Sequence, residues 1–179
     1  MIKKILVSLA LILVVLAVVV ALQPADFRIN RSTTIAAPAA DVFAQVNDFR
    51  KWEAWSPWAR LDPSMKVAYD GPAKGLGTIY TWSGNNKVGQ GRMTIMESRP
   101  DDLIRIELEF LKPMAATNLA EFTFKPEGNQ TVVNWTMTGT NNFFGKAFGL
   151  VMNMDKMVGG DFEKGLAQMK ALLETAPMR

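Results

Sequence analysis

The chain has 179 residues, 49% of them hydrophobic, with 20 Lys+Arg, 17 Asp+Glu, no Cys and no His. That length accommodates one ordinary domain with an appendage rather than two full domains. The missing residue types exclude a disulfide, a thiolate nucleophile, a Cys/His zinc site, a Ser-His-Asp triad and an imidazole-ligated metal.

Any chemistry would rest on carboxylates, Lys, Tyr or a bound group, and the residues themselves imply no cofactor and no metal. The formal net charge is +3, but setting aside Lys3 and Lys4 at the extreme N-terminus leaves 18 basic against 17 acidic residues. With no basic run elsewhere, nothing provides an electrostatic footprint for nucleic acid.

From Ile5 to Leu22 the only polar residue is Ser8. As a helix this run rises roughly 27 Å, close to the hydrocarbon thickness of a bilayer. Lys3 and Lys4 also form the positive start of a secretory signal, so a cleaved leader is the competing reading. Signal h-regions are shorter, about 7–15 residues, and end at small residues. Here the run is longer and its end, Ala21-Leu22-Gln23, suits cleavage poorly. The expectation is a retained N-terminal anchor, 1–26, with the span at about 5–22, followed by a domain over 27–179. Lys3 and Lys4 on a very short tail place the N-terminus inside, and the domain on the extracytoplasmic side of a cell membrane, against Arg28 and Arg31 beyond the span. The lack of Cys is compatible with that oxidising side.

Phe27 to Ile35 alternates and is rich in β-formers, which predicts a strand. Pro38 suits the start of a helix carrying Val42, Phe43 and Val46. Asp48 then caps a second short helix with Trp52 and Trp55, ended by Ser56-Pro57. Strands follow at Met65–Tyr69, Thr78–Ser83, Val88–Glu97, Leu103–Phe110, Leu119–Lys125 and Thr131–Thr138. Turns are expected at Gly84-Asn85-Asn86-Lys87 and at Glu127-Gly128-Asn129. From Phe143 to Glu174 the periodicity is helical, with Met154, Val158, Phe162, Leu166, Met169 and Leu173 on one stripe. Gly159-Gly160 either kinks or divides this helix. The order is that of an α+β domain in which a curved antiparallel sheet holds a long C-terminal helix.

The segments Trp52-Glu53-Ala54-Trp55-Ser56-Pro57-Trp58, Tyr80-Thr81-Trp82-Ser83-Gly84-Asn85, Met154-Asp155-Lys156-Met157 and Asp161-Phe162-Glu163-Lys164-Gly165-Leu166, in this order of elements, resemble the START-like (SRPBCC) superfamily. More narrowly, they are similar to bacterial proteins related to polyketide cyclases and dehydrases. The resemblance covers about Phe27 to Thr175 and implies a helix-grip fold with a hydrophobic cavity between the sheet and the C-terminal helix.

One strand phase collects Tyr80, Trp82, Met93, Ile95, Ile104, Ile106, Leu108, Phe110, Phe122, Phe124, Val133, Trp135 and Met137. Arg105, Glu107, Glu109, Glu121 and Lys125 alternate with them toward solvent. Glu97 falls in the phase of Met93 and Ile95, at a strand end. Such an apolar phase favours an apolar binding cavity over an acid/base site, although each residue in it is individually compatible with ordinary core packing. Given the cavity the resemblance implies, the candidate ligand-binding residues are Trp55, Trp58, Tyr80, Trp82, Met93, Leu108, Phe110, Trp135 and Met154. The space is expected to be bounded by the Leu103–Phe110 strand, Trp135 and the C-terminal helix, with Met152, Met154 and Met157 as an adaptable rim. No catalytic residue is assigned.

Three functions are compatible with this reading. The first is a membrane-tethered binder or carrier of a lipid-like or aromatic small molecule. The second is a cyclase or dehydratase acting on such a molecule, with Tyr80, Glu97 or Lys87 contributing. The third is a protein-interaction module without a ligand.

Overall fold

A run of Leu, Val, Ile and Ala without Gly or Pro builds the first element, α1 (Ile2–Ala21), which takes in Lys3 and Lys4 as well as the apolar run. The computed structural model describes residues 1–175. Of α1 only Val20 is buried, and the helix is long and apolar enough to cross a membrane.

Leu22 to Ala25 lead directly into β1 (Asp26–Ile35). Next comes α2 (Ala39–Val46), which buries Val42, Phe43 and Val46. The Asp48 carboxylate then accepts the Arg50 N–H at 2.9 Å and opens a 3-10 turn, Phe49–Lys51. That turn runs into α3 (Trp52–Trp55), and Ser56, extended ahead of Pro57, ends it. Six strands follow: β2 (Lys66–Asp70), β3 (Ile79–Ser83), β4 (Gln90–Arg99), β5 (Leu103–Lys112), β6 (Ala116–Glu127) and β7 (Gln130–Thr140). They form one antiparallel sheet in the order β1-β7-β6-β5-β4-β3-β2, so β2 to β7 make a meander and β1 closes beside β7. β1 is in register with β7 from Asp26↔Thr140 to Ile35↔Thr131.

The C-terminal helical stretch is two helices, α4 (Phe143–Val151) and α5 (Met154–Glu174). The division falls at Met152-Asn153, not at Gly159-Gly160, because the Asn153 side chain accepts the Lys156 N–H at 2.9 Å and caps a new helix. α5 then continues unbroken through both glycines. Gly159 is required for packing: a Cβ there would collide with the Arg31 guanidinium. That guanidinium crosses from β1 to α5 and meets Asp155 at 3.0 Å and Glu163 at 2.6 Å. Nearly two turns further on, Gly165 lies where a Cβ would stand 3.0 Å from the Trp135 ring and 3.1 Å from Pro57. These two close approaches seat α5 on β1 and α3.

The outer face of the sheet carries the charged phase, with Arg105 paired to Glu121 at 2.8 Å and to Glu97 at 2.7 Å. Glu97 therefore does not share the apolar phase. A β-bulge between Ile95 and Glu97 inserts Met96 and shifts the alternation by one residue. The carboxylate lands outside, beside Arg105.

Candidate functional site

The helix-bearing face of the sheet has two regions that differ in what covers them. α5 packs over β1, α2 and α3, and beneath it the space is filled. Trp135 stacks on Phe162 at 4.0 Å with 5° between planes, and on Phe122 at 4.8 Å from its other neighbour. Trp55 and Trp52 stand edge-on to the same pair of rings, with Trp55 5.7 Å from Trp135. Trp58 closes the cluster, 5.8 Å from Trp135 and 6.3 Å from Phe162. Trp55 is fully buried and Trp135 nearly so. Rings at these separations leave no room for a guest in the arrangement described.

The Trp nitrogens show how tightly this region is set. Trp52 Nε1 donates to the Val46 carbonyl at 3.0 Å and Trp55 Nε1 to the Gln45 carbonyl at 3.2 Å. Trp135 Nε1 has no acceptor, the one buried side-chain N or O without a partner among the described residues. An orphan donor of this kind costs about 1–3 kcal/mol.

The second region lies over β2 and β3 and the adjoining ends of β4 and β5, where the side chains are half-buried or exposed. Cross-strand register puts Tyr69, Tyr80, Met93, Leu108 and Asn118 in one row, and Val67, Trp82, Gly91, Phe110 and Ala116 in the next. Directly paired residues of an antiparallel sheet project to the same face, so both rows line the helix-bearing side. Their aromatic members form a ladder. Tyr69 meets Tyr80 at 5.5 Å, Tyr80 stacks on Trp82 at 6.0 Å, and Trp82 meets Phe110 edge-on at 5.9 Å. Gly91 makes this possible, since a Cβ there would run into the Trp82 indole. The indole is fixed by Nε1 donating to the Val88 carbonyl at 2.9 Å. Tyr80, Trp82, Met93, Leu108 and Phe110 are all half-buried, and Val67 and Tyr69 are exposed.

The nine candidates thus separate. Trp55, Trp135 and Trp58 belong to the aromatic packing under α5. Tyr80, Trp82, Met93, Leu108 and Phe110 form the open ladder. Met154 is half-buried in the first turn of α5. Val67, Tyr69 and Asn118 join the ladder although nothing in the sequence singled them out. A five-residue strand is too short to show its phase, and a lone Asn amid apolar neighbours reads as a turn residue. Arg50 sits over the Tyr69 ring at 4.7 Å, a cation–π contact that borders the site.

The ladder holds little that titrates near neutrality. Burial, with lesser contributions from Tyr69 and Glu53, pushes the Tyr80 phenol up to about 12, so it is a hydrogen-bond donor at neutral pH and not a base. Burial likewise raises Tyr69. Glu97 is on the other face, and Lys87 is exposed in the loop between β3 and β4. Two open grooves, of about 640 and 560 Å³, lie on the outer face along Arg28–Glu107–Thr138 and along Thr81–Arg92–Glu109. Their linings reach residues of the ladder rows, Asn118 in the first and Val67, Trp82 and Gly91 in the second.

Solved structures share this architecture. A two-domain ARO/CYC protein, BexL of the BE-7585A biosynthetic pathway, superposes with a TM-score of 0.66 at 18% identity, over 88% of this chain and 53% of that one. This chain therefore spans about half of that protein. The Aha1 protein of Colwellia psychrerythraea gives 0.60 at 15% identity, over 85% and 99% of the two chains. Protein MLL2253 of Mesorhizobium loti gives 0.61 at 13%, over 85% and 100%. Likeness at these identities is likeness of fold. No curated protein sequence matches the chain. The family model described as polyketide cyclase / dehydrase and lipid transport matches residues 26–174. The chain is accordingly a member of that family, of the SRPBCC helix-grip type, over everything that follows α1.

Proposed function

We propose that the protein is a membrane-anchored binding or carrier domain for a hydrophobic or amphiphilic small molecule, which lies against the β2–β5 ladder. The observation that carries this reading is the half-open row of Tyr80, Trp82, Met93, Leu108 and Phe110. It is a wide apolar surface that the fold leaves only half-buried. Apolar area left at a water boundary gains roughly 25 cal/mol per Å² when a ligand buries it. The Tyr69 and Tyr80 hydroxyls and the Asn118 amide supply polar contacts at intervals along it, which suits an amphiphile better than a pure hydrocarbon. The family description, cyclase or dehydrase and lipid transport, supports the same ligand class. Binding is favoured over catalysis because Tyr80, Glu97 and Lys87 do not converge: one holds its proton, one faces outward and one lies in an exposed loop. α1 supplies the anchor, and it sets the effective concentration of any ligand dissolved in the bilayer.

A photoreactive apolar probe tests this in the full chain reconstituted in nanodiscs. Irradiation followed by peptide mapping should place label on the peptides containing Tyr80–Met93 and Leu108–Phe110, with labelling reduced severalfold in Trp82→Ala and Phe110→Ala. Label confined to residues of α1, unchanged in both variants, would reject the site.

A further inference from the structure

We propose that α4 lies in the headgroup region of the bilayer that α1 spans, as a second contact between the domain and the lipid surface. The inference rests on the membrane-anchor reading of α1. α4 reads Phe143-Phe144-Gly145-Lys146-Ala147-Phe148-Gly149-Leu150-Val151, and no residue of it is buried. Phe144 is 72% exposed and Val151 80%. With about 3.6 residues per turn, Phe143, Phe144, Ala147, Phe148, Leu150 and Val151 fall within an arc of roughly 160°, and Lys146 lies outside it. A soluble domain does not ordinarily leave such a face bare.

The fold fixes where this face stands. The register Asp26↔Thr140 brings the start of β1 beside the end of β7, and the Asn141 N–H donates to the Ala25 carbonyl at 2.8 Å. Asn142 then caps α4 through a 2.9 Å bond from the Gly145 N–H. α4 consequently begins next to the last residues before β1, and its contacts are with α1. Lys146 Nζ donates to the Ala21 carbonyl at 3.2 Å, at the C-terminal end of α1 where the helix dipole favours a cation. Where α1 leaves the hydrocarbon, α4 is therefore at headgroup depth, with Phe143, Phe144 and Phe148 suited to the interface. A nine-residue helix binds lipid weakly alone, but here the encounter is intramolecular and the translational cost is already met by α1.

The absence of native Cys makes the test direct. Single-cysteine forms of the full chain, Ala147→Cys and Val151→Cys on α4, Leu13→Cys in mid-α1 and Lys125→Cys at the far end of β6, are labelled with an environment-sensitive fluorophore. Each is reconstituted in vesicles of phosphatidylcholine and phosphatidylglycerol containing lipids with quenchers at defined acyl depth. The labels at 147 and 151 should be quenched by shallow quenchers, the label at 13 by deep ones, and the label at 125 by neither. Adding Phe144→Glu and Phe148→Glu should abolish most quenching at 147 while leaving position 13 unchanged. Water-exposed labels at 147 and 151 with position 13 still deep would overturn the proposal while leaving the anchor intact. Loss of quenching at 13 as well would instead overturn the anchor reading beneath it. Self-quenching between α4 labels of neighbouring copies, without lipid quenching, would show that a second copy covers this face, and would also reject it.

Discussion

Gly159 and Gly160 are neighbours in α5 with opposite surroundings. A Cβ on Gly159 meets the Arg31 guanidinium, whereas a Cβ on Gly160 meets nothing within 4 Å. Gly160→Ala should therefore stabilise the domain by about 0.5–1 kcal/mol through helix propensity. Gly159→Ala gains the same propensity but must dislodge Arg31 from Asp155 and Glu163, an overpacking cost of about 1–3 kcal/mol. Denaturant titration should give opposite signs, and equal shifts would show that the Arg31 crossing does not seat the helix. At Trp135, two opposed effects nearly cancel on substitution to Phe: a small void worth about 1 kcal/mol, against relief of the orphan indole donor, about 1–3 kcal/mol. Trp135→Phe should thus be close to neutral, where Trp135→Ala should lose about 3–5 kcal/mol. Asp62, buried in the loop before β2, accepts from the Ser64 hydroxyl at 2.7 Å, the Asn85 N–H at 2.7 Å and the Ser64 N–H at 3.0 Å. These bonds hold its carboxyl below the usual range. Its contribution is complete above the unfolded carboxylate value and is lost as pH falls through the lower folded one. The melting-temperature gap between wild type and Asp62→Asn should be widest near neutrality and close below pH about 4.

Among the elements, β4 and β5 make the clearest contrast between what alternation can and cannot reveal. The phase of Ile104, Ile106, Leu108 and Phe110 is plain in the sequence because the strand is regular and paired on both sides. The same reasoning misplaces Glu97, because a bulge is a property of two strands together and leaves no mark on one. Apolar periodicity also runs unbroken from α4 into α5, so the cap at Asn153 is hidden beneath it, while the conspicuous glycines suggest a break that the helix does not make. Most consequentially, periodicity identifies the apolar face of the sheet but not the extent of its cover. Whether Trp135 or Trp82 faces a helix depends on where Arg31, Gly159 and Gly165 set the α5 axis, through contacts more than a hundred residues apart in sequence. The outcome is measurable. Trp82→Ala and Phe110→Ala, at half-buried positions, should each cost well under the about 3–5 kcal/mol expected for the fully buried Phe122→Ala. Equal losses in chemical denaturation would mean that the ladder is as closed as the rest.

At the scale of the whole molecule, the prediction concerns where the domain resides. With α1 retained, the full-length chain should stay in the membrane fraction through a carbonate wash, and protease added to intact spheroplasts should digest the domain. A soluble form starting near Gln23 would assign α1 to a removed leader, and complete protection would place the domain on the cytoplasmic side.

The connector between α1 and β1 bears on what the proposed carrier role would involve. Even fully extended, the chain from Ala21 to Asp26 reaches roughly 17 Å. A domain on that leash has no stroke. Anchored as proposed, it could not deliver cargo to a distant acceptor, and no length of diffusion would lie between its loading and its unloading. Whatever such an anchored domain bound would arrive and depart within reach of one leaflet, so transport by it would be a hand-off at a fixed station, with partners coming to it.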